Sequence, residues 1–249
     1  MPQENTATAC LIIIGNEILS GRTQDANLAY IGKGLNDVGV QLREVRVIPD
    51  VTETIIDTVN EVRSRFRYVF TTGGIGPTHD DITAESIARA FGVPVVIDPE
   101  ARRRLEASYK GELNEARLRM AHVPEGATLI DNPVSIAPGF QIGNVFVMAG
   151  VPKIMQAMFD GFRHRLEGGA PMRTRTVTCQ LGEGTIAADL ASVQQRFPTV
   201  EIGSYPFWSH KNFGVALVLR GFDSSELEQA TIAVFALIRH HGGEPKLDD

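Results

Sequence analysis

The alternation of strand-like and helix-like segments in the first two thirds of the chain constrains the fold most. Three strand-like segments lie at residues 9–14, 40–48 and 68–72, and the first of them is a continuous apolar run. Each precedes a segment with apolar positions at helical spacing, at residues 25–39, 51–66 and 83–92. Strands and helices that alternate in this way favour a parallel sheet covered by helices on both faces. The sequence therefore predicts an α/β fold.

The last third of the chain has a different order of elements. GGAP at residues 168–171 predicts a short linker, and we expect a first domain at 1–167 and a second at 172–249. The second domain reads as strand, helix, strand, strand, helix, at residues 175–181, 185–197, 200–207, 213–222 and 224–241. This βαββα order predicts a small α+β domain.

The middle of the first domain is less regular. Residues 100–122 read as one helix, and residues 124–144 are rich in turn-forming residues. Residues 145–152 predict a buried strand with a Gly-Pro turn, and residues 153–166 an amphipathic helix.

Composition excludes several classes of protein. The 249 residues are 43% hydrophobic and 22% charged, which is typical of a globular chain. The formal net charge of −6 disfavours nucleic acid as a partner. The amino terminus has no signal-peptide pattern and no run is long enough for a membrane span, so we expect a cytoplasmic protein. Cys10 and Cys179 lie among apolar or β-branched residues and predict buried thiols.

A glycine-rich loop follows the third strand, with the sequence TTGGIGPTHDDIT at residues 71–83. The backbone amides of Gly73, Gly74 and Gly76 could converge on an oxyanion at the start of the next helix. Hydroxyl groups flank these glycines, at Thr71, Thr72, Thr78 and Thr83. The structural alternative is a tight turn that needs positive φ.

Two adjacent aspartates, Asp80 and Asp81, end this loop although carboxylates repel phosphate. One of them, preferably Asp81, could cap the helix at 83–91, but both cannot. The other reading is a general base, or a ligand for a divalent cation that also contacts phosphate. His79 could contact phosphate or be a hydrogen-bonded bystander.

Two further acids follow the neighbouring strands. Asp50 stands three residues before Glu53, so it could form a capping box for the next helix. Glu17 follows a buried strand and a glycine, where a carboxylate more often serves a ligand than the core. If the strands are parallel, these acids and the two aspartates of the loop could surround one cleft.

The loop sequence resembles the signature of the molybdopterin-binding MoaB/Mog-type domain in the CinA family (competence/damage-inducible protein A). Further stretches agree with this family, at residues 13–21, 25–27, 47–50, 132–140 and 150–155. GEGTIAADL and FPTVEIGSYP, at residues 182–190 and 197–206, extend the resemblance to the KH-like domain of CinA proteins. The KH signature loop GxxG is missing from residues 174–241, so a dimerisation or docking role is favoured over RNA binding.

The resemblance implies a three-layer αβα domain that binds the phosphate of a pterin or nucleotide. The implied ligand-binding residues are Gly15, Glu17, Ser20, Asn27, Thr72, Gly73, Gly74, Gly76, Thr78, Thr83, Pro138, Gly139 and Pro152. It assigns catalysis to Asp50 and Asp81, and a divalent metal (Mg, Mn or Co) to Glu17, Asp80 and Asp81. The implied activities are metal-dependent hydrolysis of ADP-ribose-like pyrophosphates, or adenylyl transfer to molybdopterin. Related folds assemble as dimers or trimers, so we expect a homo-oligomer.

Departures from the family pattern leave a third possibility, a non-catalytic binding module. Asn16 and Val51 stand where acids are common, which would weaken cation binding. Ser135 and Ile136 replace the usual Gly-Thr, and Ala149 replaces a proline. The C-terminal deamidase domain of full-length CinA proteins is not expected in this chain.

Overall fold

The computed structural model describes residues 7–110, 112–209 and 212–248. The chain divides into two compact units, a larger one up to Gly169 and a smaller one from Ala170 onward. The predicted linker is packed at its start, because the N–H of Gly169 donates to the carbonyl of Gly39 at 2.8 Å. Within the described residues, no helix is long and apolar enough to cross a membrane.

A six-stranded sheet forms the centre of the larger unit. Its strands, in chain order, are β1 (Thr8–Ile14), β2 (Gln41–Ile48), β3 (Tyr68–Thr72), β6 (Thr128–Ile130), β7 (Gly139–Ile142) and β8 (Val145–Met148). The spatial order is β2-β1-β3-β8-β7-β6. The first four strands in this order are parallel, and β7 and β6 are antiparallel to their neighbours. The predicted, mostly parallel sheet is confirmed.

Helices cover both faces of this sheet and make three layers. The helices of the larger unit are α1 (Asn16–Leu19), α2 (Asn27–Asp37), α3 (Thr52–Arg63), α4 (Thr83–Phe91), α5 (Pro99–Ser108), α6 (Glu115–Leu118) and α7 (Pro152–Phe162). Leu11 and Ile13 of β1 pack with α2 and α7, whereas Cys10 and Ile12 pack with α3 and α4. Because β1 is buried on both faces, it reads as a continuous apolar run.

Aromatic side chains fill the core between the sheet and α7. The ring of Phe146 stacks on that of Phe162 at 4.9 Å, and Phe70 lies 6.2 Å from Phe162 in a similar orientation. Phe159 meets Phe162 edge to face at 5.6 Å. These rings are almost completely buried, so α7 is fixed against the sheet and the loop before it has a defined position.

The predicted single helix at 100–122 is wrong. The helix α5 ends at Ser108, and α6 begins only after Asn114, whose side chain accepts the N–H of Arg117. Lys110 has a φ of 50°, which does not continue a helix. A short 3₁₀ helix follows at Arg119–Ala121 and leads into β5 (His122–Pro124), which pairs with β4 (Val95–Ile97) as a separate ribbon. This pairing joins distant segments, so local periodicity does not indicate it.

The smaller unit has the predicted βαββα order and one further strand. Its elements are β9 (Arg173–Cys179), α8 (Glu183–Arg196), β10 (Glu201–Ser209), β11 (Asn212–Gly221), α9 (Ser224–His240) and β12 (Lys246–Asp248). The sheet order is β10-β11-β9-β12, with every pair antiparallel. A β-α-β-β-α-β order is that of the ferredoxin-like split βαβ arrangement. The KH-like interpretation is not shown.

Both thiols are buried, as the sequence predicts. Cys10 lies in β1 and Cys179 at the end of β9, and neither forms a disulfide. Burial raises the pKa of the Cys10 thiol to about 12. The thiol is therefore protonated at neutral pH and is a packing group.

Candidate functional site

A cavity of about 540 Å³ lies at the carboxyl ends of the parallel strands of the larger unit. Its wall comes from the loops after β1, β2, β3 and β8, together with parts of the segment between β4 and β7. Ligands of open α/β sheets bind at this end of the strands. The acids that the sequence analysis selected all line this cavity, namely Glu17, Asp50, Asp80 and Asp81.

The glycine-rich loop crosses the end of the sheet with almost no space between backbones. A Cβ atom at Gly73, where φ is 108°, would lie 2.1 Å from the carbonyl oxygen of Ile14. A Cβ at Gly74, where φ is 67°, would lie 2.2 Å from the Thr83 hydroxyl. The turn interpretation is therefore correct for these two glycines. It does not exclude a phosphate site, because Gly73, Gly74 and Gly76 also line the cavity. The N–H of Gly73 is not available to a ligand, since it donates to the carbonyl of Met148 at 3.1 Å.

Thr83 holds the loop in place. Its N–H donates to the carbonyl of Gly74, and its hydroxyl donates to the carbonyl of Gly73, both at 3.0 Å. Thr83 is completely buried. Thr83 was predicted to contact the ligand. In the structure its hydrogen bonds instead fix the positions of Gly73 and Gly74.

Asp81 does not cap the helix that follows it. The N-cap of α4 is Ile82, with no side-chain cap. The Oδ2 atom of Asp81 instead accepts the N–H of Thr78 at 2.8 Å. The carboxylate thus turns back into the loop, where a Cβ at Gly76 would meet it at 2.6 Å.

The hydroxyl of Thr78 lies between the two aspartates. Its Oγ1 atom is 2.6 Å from Oδ1 of Asp80 and 2.6 Å from Oδ2 of Asp81. A hydroxyl carries one proton, so it donates to one of these carboxylates at a time. The bond from Thr78 lowers the pKa of Asp80, assisted by the N–H of Asp80 and by the nearby His79. Asp80 is therefore ionised at neutral pH.

Asp50 holds the loop after β1 rather than its own helix. Its Oδ2 atom accepts the N–H of Asn16 at 2.8 Å. The N-cap of α3 is Val51 without a side-chain bond, and Glu53 pairs with Arg89 at 2.7 Å. The predicted capping box is therefore absent. Among the described residues, the Oδ1 atom of Asp50 has no hydrogen-bond partner.

Glu17 lies in α1, a single helical turn directly after β1. Its carboxylate folds over Gly15, where a Cβ atom would lie 2.6 Å from Oε1. The N–H of Gly15 donates to the carbonyl of Ile48 at 3.1 Å and joins the ends of β1 and β2. Gly15 therefore makes room for the carboxylate beside the cavity.

The cavity wall carries a strong excess of negative charge. Among the described residues that line it, four are acids and none is Lys or Arg. The described part of the chain also contains no group of three or more His, Cys, Asp or Glu side chains placed to hold one metal ion. The predicted ligand set Glu17, Asp80 and Asp81 is not assembled, because both aspartates turn toward Thr78 while Glu17 lies over Gly15.

The arrangement still fits a divalent cation that takes some of its ligands from a substrate. Mg²⁺ keeps several waters and is usually bound by one or two carboxylates together with substrate phosphates. The cavity is lined by carboxylates from three separate loops and by the glycines of the glycine-rich loop. These residues would hold the ion only when a phosphate supplies the remaining oxygens.

Two predicted residues organise the wall without lining the cavity. Asn27 is buried at the start of α2, and its Nδ2 donates to the carbonyl of Gly150 at 2.8 Å. Ser20 is exposed after α1, and its hydroxyl donates to the carbonyl of Glu17 at 3.2 Å. Asn27 therefore places the loop after β8, and Ser20 closes the helical turn that carries Glu17.

The other predicted residues occupy different places. Thr72 is buried at the end of β3, where its hydroxyl has no partner among the described residues. Pro138 lines a smaller cavity that shares Asp81 with the main one. Gly139 lies in β7, where a Cβ would be 2.3 Å from the carbonyl of Val147. Pro152 begins α7 and lines the main cavity.

Sequence reasoning missed several residues of the wall. They are Ile14, Thr23, Ile75, Pro77, Met120, Asn132, Ser135, Ala137, Ala149, Gly150, Val151 and Ile154. Most of these residues lie in stretches that the family resemblance had indicated. The motifs therefore predicted which loops form the site, but not which of their residues face the cavity. Met120 belongs to the short 3₁₀ helix after α6, and no motif in the sequence indicated that it lines a cavity.

Fold and site together define an α/β protein with an acidic ligand cavity over a glycine-rich loop. Residues 10–168 match the family described as "Probable molybdopterin binding domain". Residues 171–242 match the family described as "FAD synthase, middle domain". The chain belongs to the molybdopterin-binding-domain family.

Three similar proteins illustrate this membership. A protein of Archaeoglobus fulgidus, whose name states no function, is 40% identical over 79% of this chain and 84% of its own length. A "Probable FAD synthase" of Caenorhabditis briggsae is 30% identical over 97% of this chain and 51% of its own length. The crystal structure of a CinA protein of unknown function from Thermoplasma acidophilum is 35% identical, with a TM-score of 0.62 over 65% of this chain and 99% of that one.

These relatives support the MoaB/Mog-type and CinA-like resemblance of the larger unit. The chain spans about half the length of the FAD synthase it matches. The similarity therefore gives the family of the larger unit, and the activity has to be argued from the chemistry of the cavity.

Proposed function

We propose that the larger unit binds a nucleotide or pterin pyrophosphate in this cavity and cleaves ADP-ribose-like pyrophosphates with the help of a divalent cation. The observation that carries the proposal is the wall itself, in which four carboxylates line the cavity together with the glycines of the loop, and no Lys or Arg occurs among the described lining residues. A phosphate contacts such a wall favourably only when a cation neutralises the carboxylates. When bound, the cation would polarise the phosphoryl group and stabilise the charge that develops on it.

Among the described residues, each of the two proposed catalytic carboxylates has one oxygen without a hydrogen-bond partner. Asp50 uses Oδ2 for the N–H of Asn16, and Asp81 uses Oδ2 for Thr78. The Oδ1 atom of either can accept the proton of an attacking water. The water oxygen forms a bond to one phosphorus and the bridging P–O bond breaks, so ADP-ribose gives AMP and ribose 5-phosphate.

One part of the wall suits the organic part of the substrate. The side chains of Ile75, Met120, Val151 and Ile154 give the cavity an apolar surface in addition to the carboxylates. Apolar side chains with a few polar groups are typical of sites that hold a planar ring. Adenine, a pterin and a flavin each meet this requirement, and the name of the C. briggsae relative makes FAD a substrate to test.

The test is release of AMP from ADP-ribose and from FAD by the purified chain with Mg²⁺, Mn²⁺ or Co²⁺. We expect Asp81→Asn to reduce the rate by about a hundredfold, as for loss of a general base. Asp57→Asn is the matched control, because Asp57 is exposed on α3 and outside the cavity. Absence of AMP above the blank with every metal would rule out hydrolysis.

The family of residues 10–168 favours a second candidate, molybdopterin binding with adenylyl transfer. Here the carboxylates would orient the cation and a nucleoside triphosphate for transfer of its adenylyl group to the pterin phosphate, with pyrophosphate as the leaving group, and free AMP would not accumulate. Tight retention of a fluorescent pterin during purification, with little turnover of ADP-ribose, would favour this candidate.

The non-catalytic module differs from both candidates in its dependence on the carboxylates. If the cavity only binds, Asp81→Asn should leave ligand affinity nearly unchanged. A loss of affinity of about tenfold or more would argue against it, since this is the effect of removing a charged contact.

A further inference from the structure

The loop between β6 and β7 is built around one buried side chain, Asn132. Its Oδ1 atom accepts the N–H groups of Val134 and Ser135, both at 3.0 Å. Its Nδ2 atom donates to the hydroxyl of Ser135 and to the carbonyl of Ala137, both at 2.7 Å. All of the hydrogen-bonding groups of the Asn132 amide are therefore used within the loop.

This loop holds Ile136 in an unusual conformation. Ile136 has a φ of 70°, which a β-branched residue rarely adopts. Its N–H donates to the carbonyl of Asn132 at 3.1 Å, and Ala137 donates to the carbonyl of Ser135 at 2.8 Å. Such conformations persist where the surroundings determine them, and they are common at ligand-binding sites.

The result is a hydroxyl that is fixed in place and has a proton available. Ser135 is exposed and lines the main cavity, and its oxygen accepts from Asn132. A serine hydroxyl that accepts one hydrogen bond can still donate one. No acceptor for this proton occurs among the described residues.

The other side-chain hydroxyls near the cavity are different. The hydroxyl of Thr78 is taken by the two aspartates. Thr23 also lines the cavity, but no described side chain fixes its hydroxyl. Because the described wall lacks Lys and Arg, Ser135 is the side-chain donor that the loop itself positions.

We propose that Ser135 is a ligand-binding residue of this cavity, and that its hydroxyl donates a hydrogen bond to a phosphoryl oxygen of the bound nucleotide or pterin pyrophosphate. Asn132 acts as the positioning residue. This inference rests on the proposed binding of a pyrophosphate in the same cavity. It adds a donor from the loop between β6 and β7 to those that the glycine-rich loop offers.

The test is the affinity for adenosine 5′-(α,β-methylene)diphosphate, measured by calorimetry in the presence of Mg²⁺. This nucleotide analogue resists hydrolysis. We expect Ser135→Ala to weaken binding about tenfold, as for loss of a hydrogen bond to a charged group. Ser135→Thr keeps the hydroxyl and should bind within about threefold of the parent. Ser64→Ala is the control, since Ser64 is exposed after α3, outside the cavity, and its hydroxyl donates to the carbonyl of Glu61.

Thermal unfolding of the same variants separates binding from loop structure. A tenfold loss of affinity in Ser135→Ala at an unchanged Tm, with recovery in Ser135→Thr, supports the inference. Unchanged affinity in Ser135→Ala overturns it and leaves the proposed function intact. A fall in affinity that accompanies a lower Tm, without recovery by threonine, also overturns it. Lack of binding by the parent chain overturns the proposed function as well.

Discussion

Replacement of Gly73 by alanine tests the geometry on which the site depends. At this position φ is 108°, and a Cβ would lie 2.1 Å from the carbonyl oxygen of Ile14 at the end of β1. Gly126 offers a matched control, because its φ is 81° but a Cβ there would have no atom within 4 Å. Both substitutions strain the backbone, and only one forces two chain segments apart.

The expected losses of stability follow from the backbone strain at both positions and from the steric clash at Gly73 alone. A left-handed conformation costs an alanine about 1–2 kcal/mol, and the stiffer unfolded chain returns about 0.4–1 kcal/mol. Gly126→Ala should therefore lower the free energy of unfolding by about 1 kcal/mol. Forcing an extra methyl into packed structure adds about 1–3 kcal/mol, so Gly73→Ala should cost about 3 kcal/mol.

Hydrogen exchange followed by mass spectrometry measures the loss of stability in the larger unit separately from the smaller one. Peptides from β1 and β3 report the free energy of opening of the larger unit, and the difference between the variants should be about 2 kcal/mol. Equal costs for Gly73→Ala and Gly126→Ala would refute the close approach of the loop to β1. The geometry described for the glycine-rich loop at the end of the sheet would then be wrong.

Three further predictions concern the rest of the molecule. Neither Cys10 nor Cys179 should react with a thiol reagent at pH 8 in the native chain, and both should react in denaturant; one fast-reacting thiol would contradict their burial. A hydrogen bond from Arg46 lowers the pKa of Glu61 from 4.5 to about 2. A lowered carboxyl pKa stabilises the folded state above the unfolded value and loses this effect as pH falls. The Tm of Glu61→Gln should therefore lie below that of the parent at pH 7, and the two should converge between pH 4.5 and about 2. Phe162→Ala should lower the free energy of unfolding by about 3–5 kcal/mol, and a loss below about 1 kcal/mol in urea unfolding would show that the ring is not part of a packed core.

Local sequence patterns predicted the parts of the fold that depend on neighbouring residues. β3 at Tyr68–Thr72 has the predicted limits, because an apolar run between turn residues indicates a buried strand. The pairing of β4 with β5 had no such signal, since its strands are short and separated by two α-helices and a 3₁₀ helix. β12 was missed for the same reason.

The site was predicted in its loops more accurately than in its contacts. The acids were placed at strand ends by spacing alone, and the structure brings them to one cavity. Asp50 and Asp81 were both possible caps for their own helices, and each instead accepts a backbone N–H elsewhere. In the sequence Ser135 stands out only as a departure from the family pattern, because its position in the cavity depends on the hydrogen bond from Asn132. Assembly as a dimer or trimer stays a prediction of the resemblance.

The measurement that tests the central claim most directly is the cation dependence of nucleotide binding. The affinity of the parent chain for adenosine 5′-(α,β-methylene)diphosphate is measured by calorimetry with Mn²⁺ and again with EDTA. We predict that removal of the cation weakens binding by about tenfold or more, because four carboxylates then face the phosphates unscreened. Asp81→Asn should show a smaller dependence on the cation. Equal affinity with Mn²⁺ and with EDTA would contradict a site in which a cation joins the carboxylates to the phosphate.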